Sequence, residues 1–143
     1  MRIGELGLAI GVDVETIRYY EKAGLLPAPA RQANGYRDYG DKQLERLAFI
    51  RHCRALDLPL AEIKRLLELL SQPSAACDDV DRLIEGQLER VRTRIRSLRA
   101  LERQLSALRS CCAAPQTAAE CGILHELVTT AHHEAVTDGR AAR

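Results

Sequence analysis

Apolar and polar positions divide the chain into several short helices followed by one long one. Residues 3–11 and 13–23 read as two short helices joined by a tight turn at Gly11 and Val12, with Asp13 a suitable N-cap for the second and Gly24 ending it. Residues 25–40 lose the helical period and hold Pro27, Pro29, Asn34-Gly35 and Gly40. Asn-Gly is the strongest short hairpin signal, so Arg31 to Tyr39 is expected to form a small β-wing. From Asp41 to about Leu56 the positions Leu44, Leu47, Ala48, Ile50 and Cys53 resume helical spacing. Pro59 opens another short helix, expected to bury Leu60, Ile63, Leu66, Leu67 and Leu70, and Ser71-Gln72-Pro73-Ser74 is a linker.

The longest element follows. Ile84, Leu88, Val91, Ile95 and Leu98 recur at spacings of 4, 3, 4 and 3, and Leu101, Leu105 and Leu108 carry the stripe onward between faces of Arg and Glu. One narrow stripe, with no second helix of similar length to cover it, is most simply buried in a two-stranded coiled coil with another copy of the chain. The spacing leaves the strand direction open. Pro115 breaks the helix, Cys121-Gly122-Ile123-Leu124 begins a last short helix, and residues 129–143 read as a polar, disordered tail.

Composition agrees with this helical picture. Hydrophobic residues make up 46% of the 143 while aromatics reach only 3%, so Leu, Ala and Ile dominate and the chain is expected to be mainly α. Net charge is +1, and in the first 40 residues the basic and acidic side chains balance. Any DNA-binding surface there must gather its basic groups on one face. With no apolar stretch of about 20 residues and no signal-peptide core at the start, a cytoplasmic location without membrane association is expected. Five cysteines in a reducing compartment point to free thiols or metal ligands rather than disulfides.

Helix, turn, helix and wing in that order is a DNA-binding arrangement. On the second helix Thr16 and Arg18 suit phosphates or base edges, and Tyr19 can hydrogen-bond a phosphate while packing on a sugar. Arg31, Tyr36 and Arg37 of the wing offer similar contacts to the neighbouring backbone.

The segments Thr16-Ile17-Arg18-Tyr19-Tyr20-Glu21, Gly24-Leu25-Leu26-Pro27 and Gly35-Tyr36-Arg37-Asp38-Tyr39 closely resemble the N-terminal signature of the MerR family of transcriptional regulators. Arg46, Leu47 and Ile50, then Leu58, Leu60 and Ile63, continue the likeness, which runs from Ile3 to about Leu127. The resemblance implies a winged helix-turn-helix, a connecting helix pair and a long antiparallel dimerisation helix. It makes Arg18, Tyr19, Tyr36 and Arg37 the foremost DNA contacts.

Cys77 precedes the long helix, Cys111 and Cys112 end it, and Cys121 follows a short loop. The 35 steps from Cys77 to Cys112, at about 1.5 Å per helical residue, separate them by roughly 50 Å. Metal–thiolate bonds are only about 2.3 Å long for zinc. One chain cannot bring both to one ion, but an antiparallel dimer can. The expected site joins Cys112 and Cys121 of one protomer to Cys77 of the partner, twice per dimer. Three thiolates select soft or borderline ions; lead and mercury suit trigonal sulfur, whereas cadmium or zinc prefers a fourth ligand such as water, Cys111 or His125. Cys53, on a helical stripe, reads as a structural thiol, and His132-His133 as a solvent-facing pair.

Metal-responsive family members place Cys at the start of the dimerisation helix for divalent ions, and copper(I) members place Ser there, so Cys77 argues against copper. Phe49-Ile50-Arg51-His52-Cys53-Arg54-Ala55-Leu56-Asp57 and Cys121-Gly122-Ile123-Leu124 are most similar to the cadmium(II)- and lead(II)-responsive branch (CadR and PbrR types). Mercury(II) sensors share the three-cysteine plan, and zinc(II) sensors use a more crowded, His-containing loop. The doubled Cys111-Cys112 departs from the pattern. By analogy, the homodimer sits on promoter DNA whose spacer is too long, and metal binding distorts the spacer so that RNA polymerase engages both promoter elements.

The expected layout is a DNA-binding domain over 1–72, a dimerisation helix over 77–111, a metal-binding loop and short helix over 112–128, and the tail over 129–143. An iron–sulfur regulator would need four well-spaced cysteines, and an organic-ligand sensor a large C-terminal domain. A thiol metal buffer would not need the recognition helix and wing. No Glu or His stands at a spacing that would serve an open metal position, so no enzymatic activity is expected.

Overall fold

A computed structural model of the chain describes residues 1–112 and 117–141. Among the described residues the six α-helices are α1 (Ile3–Ile10), α2 (Val14–Lys22), α3 (Asp41–Ala55), α4 (Leu60–Leu70), α5 (Asp78–Arg109) and α6 (Gly122–Ala141), with a 3-10 turn at Ala118–Glu120. The chain divides into two compact units, Met1–Leu88 and Glu89–Arg143. Pro115, expected to break the long helix, lies outside the described residues.

The first unit forms around one apolar core. Leu6 of α1, Ile17 and Tyr20 of α2, Leu47 and Ile50 of α3, and Ile63 and Leu67 of α4 meet there with Leu25, Leu26 and Tyr39 from the connecting segment. Asp13 caps α2 as expected, accepting from the Thr16 N–H at 2.8 Å. On α4 the apolar face differs by one position from the sequence reading: Leu69 is buried and Leu70 is exposed. Two leucine pairs, Leu66-Leu67 and Leu69-Leu70, flank Glu68 at the end of the helix, and their spacing does not mark which of the last two faces inward.

The beginning of α5 also belongs to this unit. Val80 and Leu83 pack against the core. Gln87, the buried polar residue among the described core positions, donates from Nε2 to the Leu56 carbonyl at 2.8 Å. That carbonyl ends α3, where the chain turns through Asp57 at φ 60°. Gln87 thus ties the first turns of α5 to the α3–α4 corner.

In the second unit the remainder of α5 carries Val91, Ile95, Leu98, Leu101 and Leu105 at 40–65% exposure. α6 is far longer than the short turn expected, and the segment from 129, read as a disordered tail, continues it to Ala141. Leu127 and Ala131 line a groove with Ala107 and Leu108 of α5. The apolar spacing of Leu124, Leu127 and Ala131 is helical, and the polar residues between them hide it from a compositional reading.

Candidate nucleic-acid interface and thiol site

α2 has one inward face and one outward face. Ile17 and Tyr20, three positions apart, enter the core, so Arg18 and Tyr19 point out, Tyr19 at 56% exposure. Thr16 is half-buried, with its N–H bonded to the Asp13 cap. At the far end of α2, Arg46 Nε donates to the Leu25 carbonyl at 2.7 Å, so α3 fixes where the helix stops.

The wing is a tight loop, not a two-stranded ribbon. Its ladder is one antiparallel bridge, Arg31 with Arg37, and no strand is formed among the described residues. Gln32 N–H donates to the Tyr36 carbonyl at 2.7 Å and Gly35 N–H to the Gln32 carbonyl at 2.9 Å. A two-residue Asn-Gly turn needs positive φ at both residues. Only Gly35 has it, at 84°, while Asn34 uses its side-chain oxygen to accept from Tyr36 N–H at 3.1 Å. The sequence located the turn correctly and overestimated its strands.

Wing and recognition helix are joined through Glu21. Its carboxylate accepts from the Arg37 guanidinium and from the Tyr39 hydroxyl, and the Glu21 side chain is only 8% exposed. Burial first, then this donation to Glu21, pushes the Tyr39 phenol above its ordinary value. Arg37, anticipated as a DNA contact, is therefore also the ion-pair partner that holds the wing on α2. Arg31 and Tyr36 stand exposed.

Between α1, α2 and the wing lies a cleft of about 990 Å³ whose lining includes Arg2, Arg18, Lys22 and Arg37 against Glu5 and Glu21. The cleft thus brings together four basic and two acidic side chains, with Arg37 already paired to Glu21. The sequence did not single out Glu21, Tyr39 or Arg2 as site residues. Their contacts join residues 16 or more positions apart, which no local pattern reports.

In the second unit Cys112 and Cys121 come together. Cys121 precedes α6, where its carbonyl accepts from the His125 N–H at 3.1 Å. The N–H of Leu124 is the main donor to the Cys121 sulfur, with smaller contributions from the Ile123 N–H and the Cys112 side chain. Together they outweigh partial burial and hold the thiol below the ordinary cysteine range. Gly122 makes this closure possible: a Cβ there would lie 2.3 Å from the Cys111 carbonyl oxygen.

Cys111 is exposed, its thiol directed to the Ala107 carbonyl at 3.5 Å. Cys77 is exposed in the first unit, and its carbonyl accepts from Asp81 N–H at the start of α5. Cys53 is buried, and burial raises its pKa, which fits a structural thiol. His125, His132 and His133 are exposed on α6. Among the described residues of one chain, no three His, Cys, Asp or Glu side chains converge as metal ligands. Two convergent thiols fit a soft ion that takes a further ligand from elsewhere.

The helix-turn-helix, wing and basic cleft define a DNA-binding regulator. Residues 1–70 match the model of the MerR helix-turn-helix family of regulatory proteins, and residues 44–108 match the MerR DNA-binding model. The chain is 43% identical to the ZntR homologue of Haemophilus influenzae, an HTH-type transcriptional regulator, over 76% of this chain and 81% of the relative. It is 38% identical to the mercuric resistance operon regulatory protein of Bacillus cereus, over 89% and 96%. Among solved structures, the transcription regulator PbrR691 from Ralstonia metallidurans in complex with lead(II) is similar at 49% identity, with a TM-score of 0.78, over 89% of this chain and 98% of that one. The chain belongs to the MerR family, which consists of transcription regulators and not of enzymes. No described helix is long and apolar enough to cross a membrane.

Proposed function

We propose that this regulator binds promoter DNA as an antiparallel homodimer and activates transcription by RNA polymerase when lead(II) or cadmium(II) occupies a thiolate site shared between protomers. The coarser statement, a metal-responsive MerR-type transcription regulator, follows from its relatives. The observation that carries the finer reading is the Cys112–Cys121 pair, closed at Gly122, which needs a third ligand: among the described residues of one chain no three His, Cys, Asp or Glu side chains converge. Cys77 of the partner supplies that ligand if two α5 helices pack antiparallel through the bare apolar stripe. Cys111 remains a fourth donor for ions that prefer four ligands.

DNA-facing roles fall to Thr16, Arg18 and Tyr19 on α2 and to Arg31, Tyr36 and Arg37 in the wing. An ion bound at the shared site cross-links the two protomers. Within the first unit, Gln87 holds the first turns of α5 to the α3–α4 corner and Glu21 holds the wing to α2, so that dimer geometry is passed to the DNA-binding surface. The 49% identity to a lead(II)-bound regulator favours lead(II), whereas the zinc and mercuric relatives make zinc(II) and mercury(II) the competing effectors.

Mixed dimers test the shared site. A Cys77→Ser protomer paired with a Cys112→Ser/Cys121→Ser protomer retains one complete cross-dimer site, whereas each mutant homodimer has none. One tightly bound lead(II) per mixed dimer, by thiolate-to-metal absorbance, is expected. No tight binding in the mixed dimer, with wild type binding two ions, would sink the shared arrangement.

A further inference from the structure

Arg2 just precedes α1 as its N-cap residue, yet its guanidinium extends across to the wing. There the guanidinium carbon lies 4.6 Å from the centroid of the Tyr36 ring. That is cation–π distance, and a planar guanidinium stacked on an aromatic face has already surrendered much of its rotamer freedom. Tyr36 is 56% exposed, so the stacked pair stands at the surface. Arg2 lines the same cleft as Arg18 and Lys22 of the recognition helix.

The electrostatics single Arg2 out from the other basic residues. Arg37 already has a carboxylate, Glu21, which is nearly buried and also bonded to Tyr39. No carboxylate pairs with Arg2 among the described residues, and Glu5 is the one other acid lining the cleft. A guanidinium so placed keeps its donors for an incoming anion, in the fork geometry that suits phosphate oxygens.

We infer that Arg2, held on the ring of Tyr36, is a phosphate-anchoring residue of the DNA interface that bridges recognition helix and wing. The inference rests on the DNA-binding reading of this cleft and adds a contact that neither helix nor wing supplies. Tyr36 then acts as the platform that aims Arg2, in addition to any contact of its own. Arg2 sets affinity and register, not base sequence, because phosphate oxygens carry no sequence information.

The test is full-length protein titrated onto operator duplex and onto an unrelated duplex across a salt series. Arg2→Gln is expected to weaken binding roughly tenfold on both duplexes. It should also reduce the slope of log K against log salt by about one. Arg2→Lys should keep the slope, having kept the charge, while losing part of the affinity. In an Arg2→Gln/Tyr36→Ala cycle the double variant should lose less than the two single losses combined. Wild-type affinity and slope for Arg2→Gln, while Arg18→Gln loses both, would overturn the inference and leave DNA binding standing. A loss confined to the operator would overturn the phosphate assignment. No binding by the wild-type protein would overturn both readings together.

Discussion

Glu21 shows how a single side chain decides what its neighbours are free to do. By accepting from both Arg37 and Tyr39 it converts a wing arginine into a structural strut. Arg37→Ala leaves a nearly buried carboxylate with one partner fewer, and should lower the urea midpoint of the first unit. Arg18→Ala, whose side chain is exposed, should change stability by no more than about 0.5 kcal/mol while weakening DNA binding. If both variants kept full stability, the strut role of Arg37 would be wrong. Cys121 makes the corresponding case in the second unit. Its folded pKa is lowered, so the stabilisation of its thiolate is fully present above the unfolded thiol value and is lost as pH falls through the folded one. Cys53, with its pKa raised by burial, behaves oppositely. In single-cysteine variants, the pH midpoint for alkylation should therefore lie below the ordinary thiol value for Cys121 and above it for Cys53. Equal midpoints would remove the electrostatic account of the α6 N-terminus.

At the scale of elements, the legible features were those written in local periods. α2, α3 and the stripe of α5 follow from spacing and caps: Asp13 starts one helix, and the 4-3-4-3 repeat marks another. The wing was located by Asn34-Gly35, but its pairing depends on Gln32 and Tyr36 closing the loop, which a dipeptide signal does not specify. α6 was under-read because Thr, His and Glu between its apolar positions suggested a tail, although Leu127 and Ala131 pair with Ala107 and Leu108 across a groove. The Cys112–Cys121 pairing was foreseen from loop length; the need for Gly122 was not, since it arises from the Cys111 carbonyl 11 positions earlier. Gly122→Ala should therefore push the start of α6 away from Cys111 and lower lead(II) affinity with all five cysteines intact, measurable by competition with a metal chelator. Unchanged affinity would mean that the close approach does not shape the site. Gln87→Leu should leave the Leu56 carbonyl without this donor and cost about 1–3 kcal/mol, read as a lower urea midpoint.

At the scale of the whole molecule, a single chain leaves its longest apolar stripe bare. Ile95 and Leu98 are 41% and 57% exposed, and a second copy would cover each of them twice by symmetry. Burial of a Leu or Ile side chain is worth about 1.5–3 kcal/mol. Leu98→Lys, acting in both copies, should raise the dimer dissociation constant at least about a hundredfold in sedimentation velocity. An unaltered dimer would exclude this stripe as the interface. The proposed mechanism has thiols from two protomers govern transcription from DNA held by the winged helix-turn-helix. Its most direct test is transcription in vitro from the cognate promoter, titrated separately with lead(II), cadmium(II), mercury(II) and zinc(II), for wild type and Cys77→Ser. Activation of wild type at far lower lead(II) or cadmium(II) than the other ions, abolished by Cys77→Ser, is the predicted result. Equal activation of wild type and Cys77→Ser, or no response to any of the four ions, would contradict it.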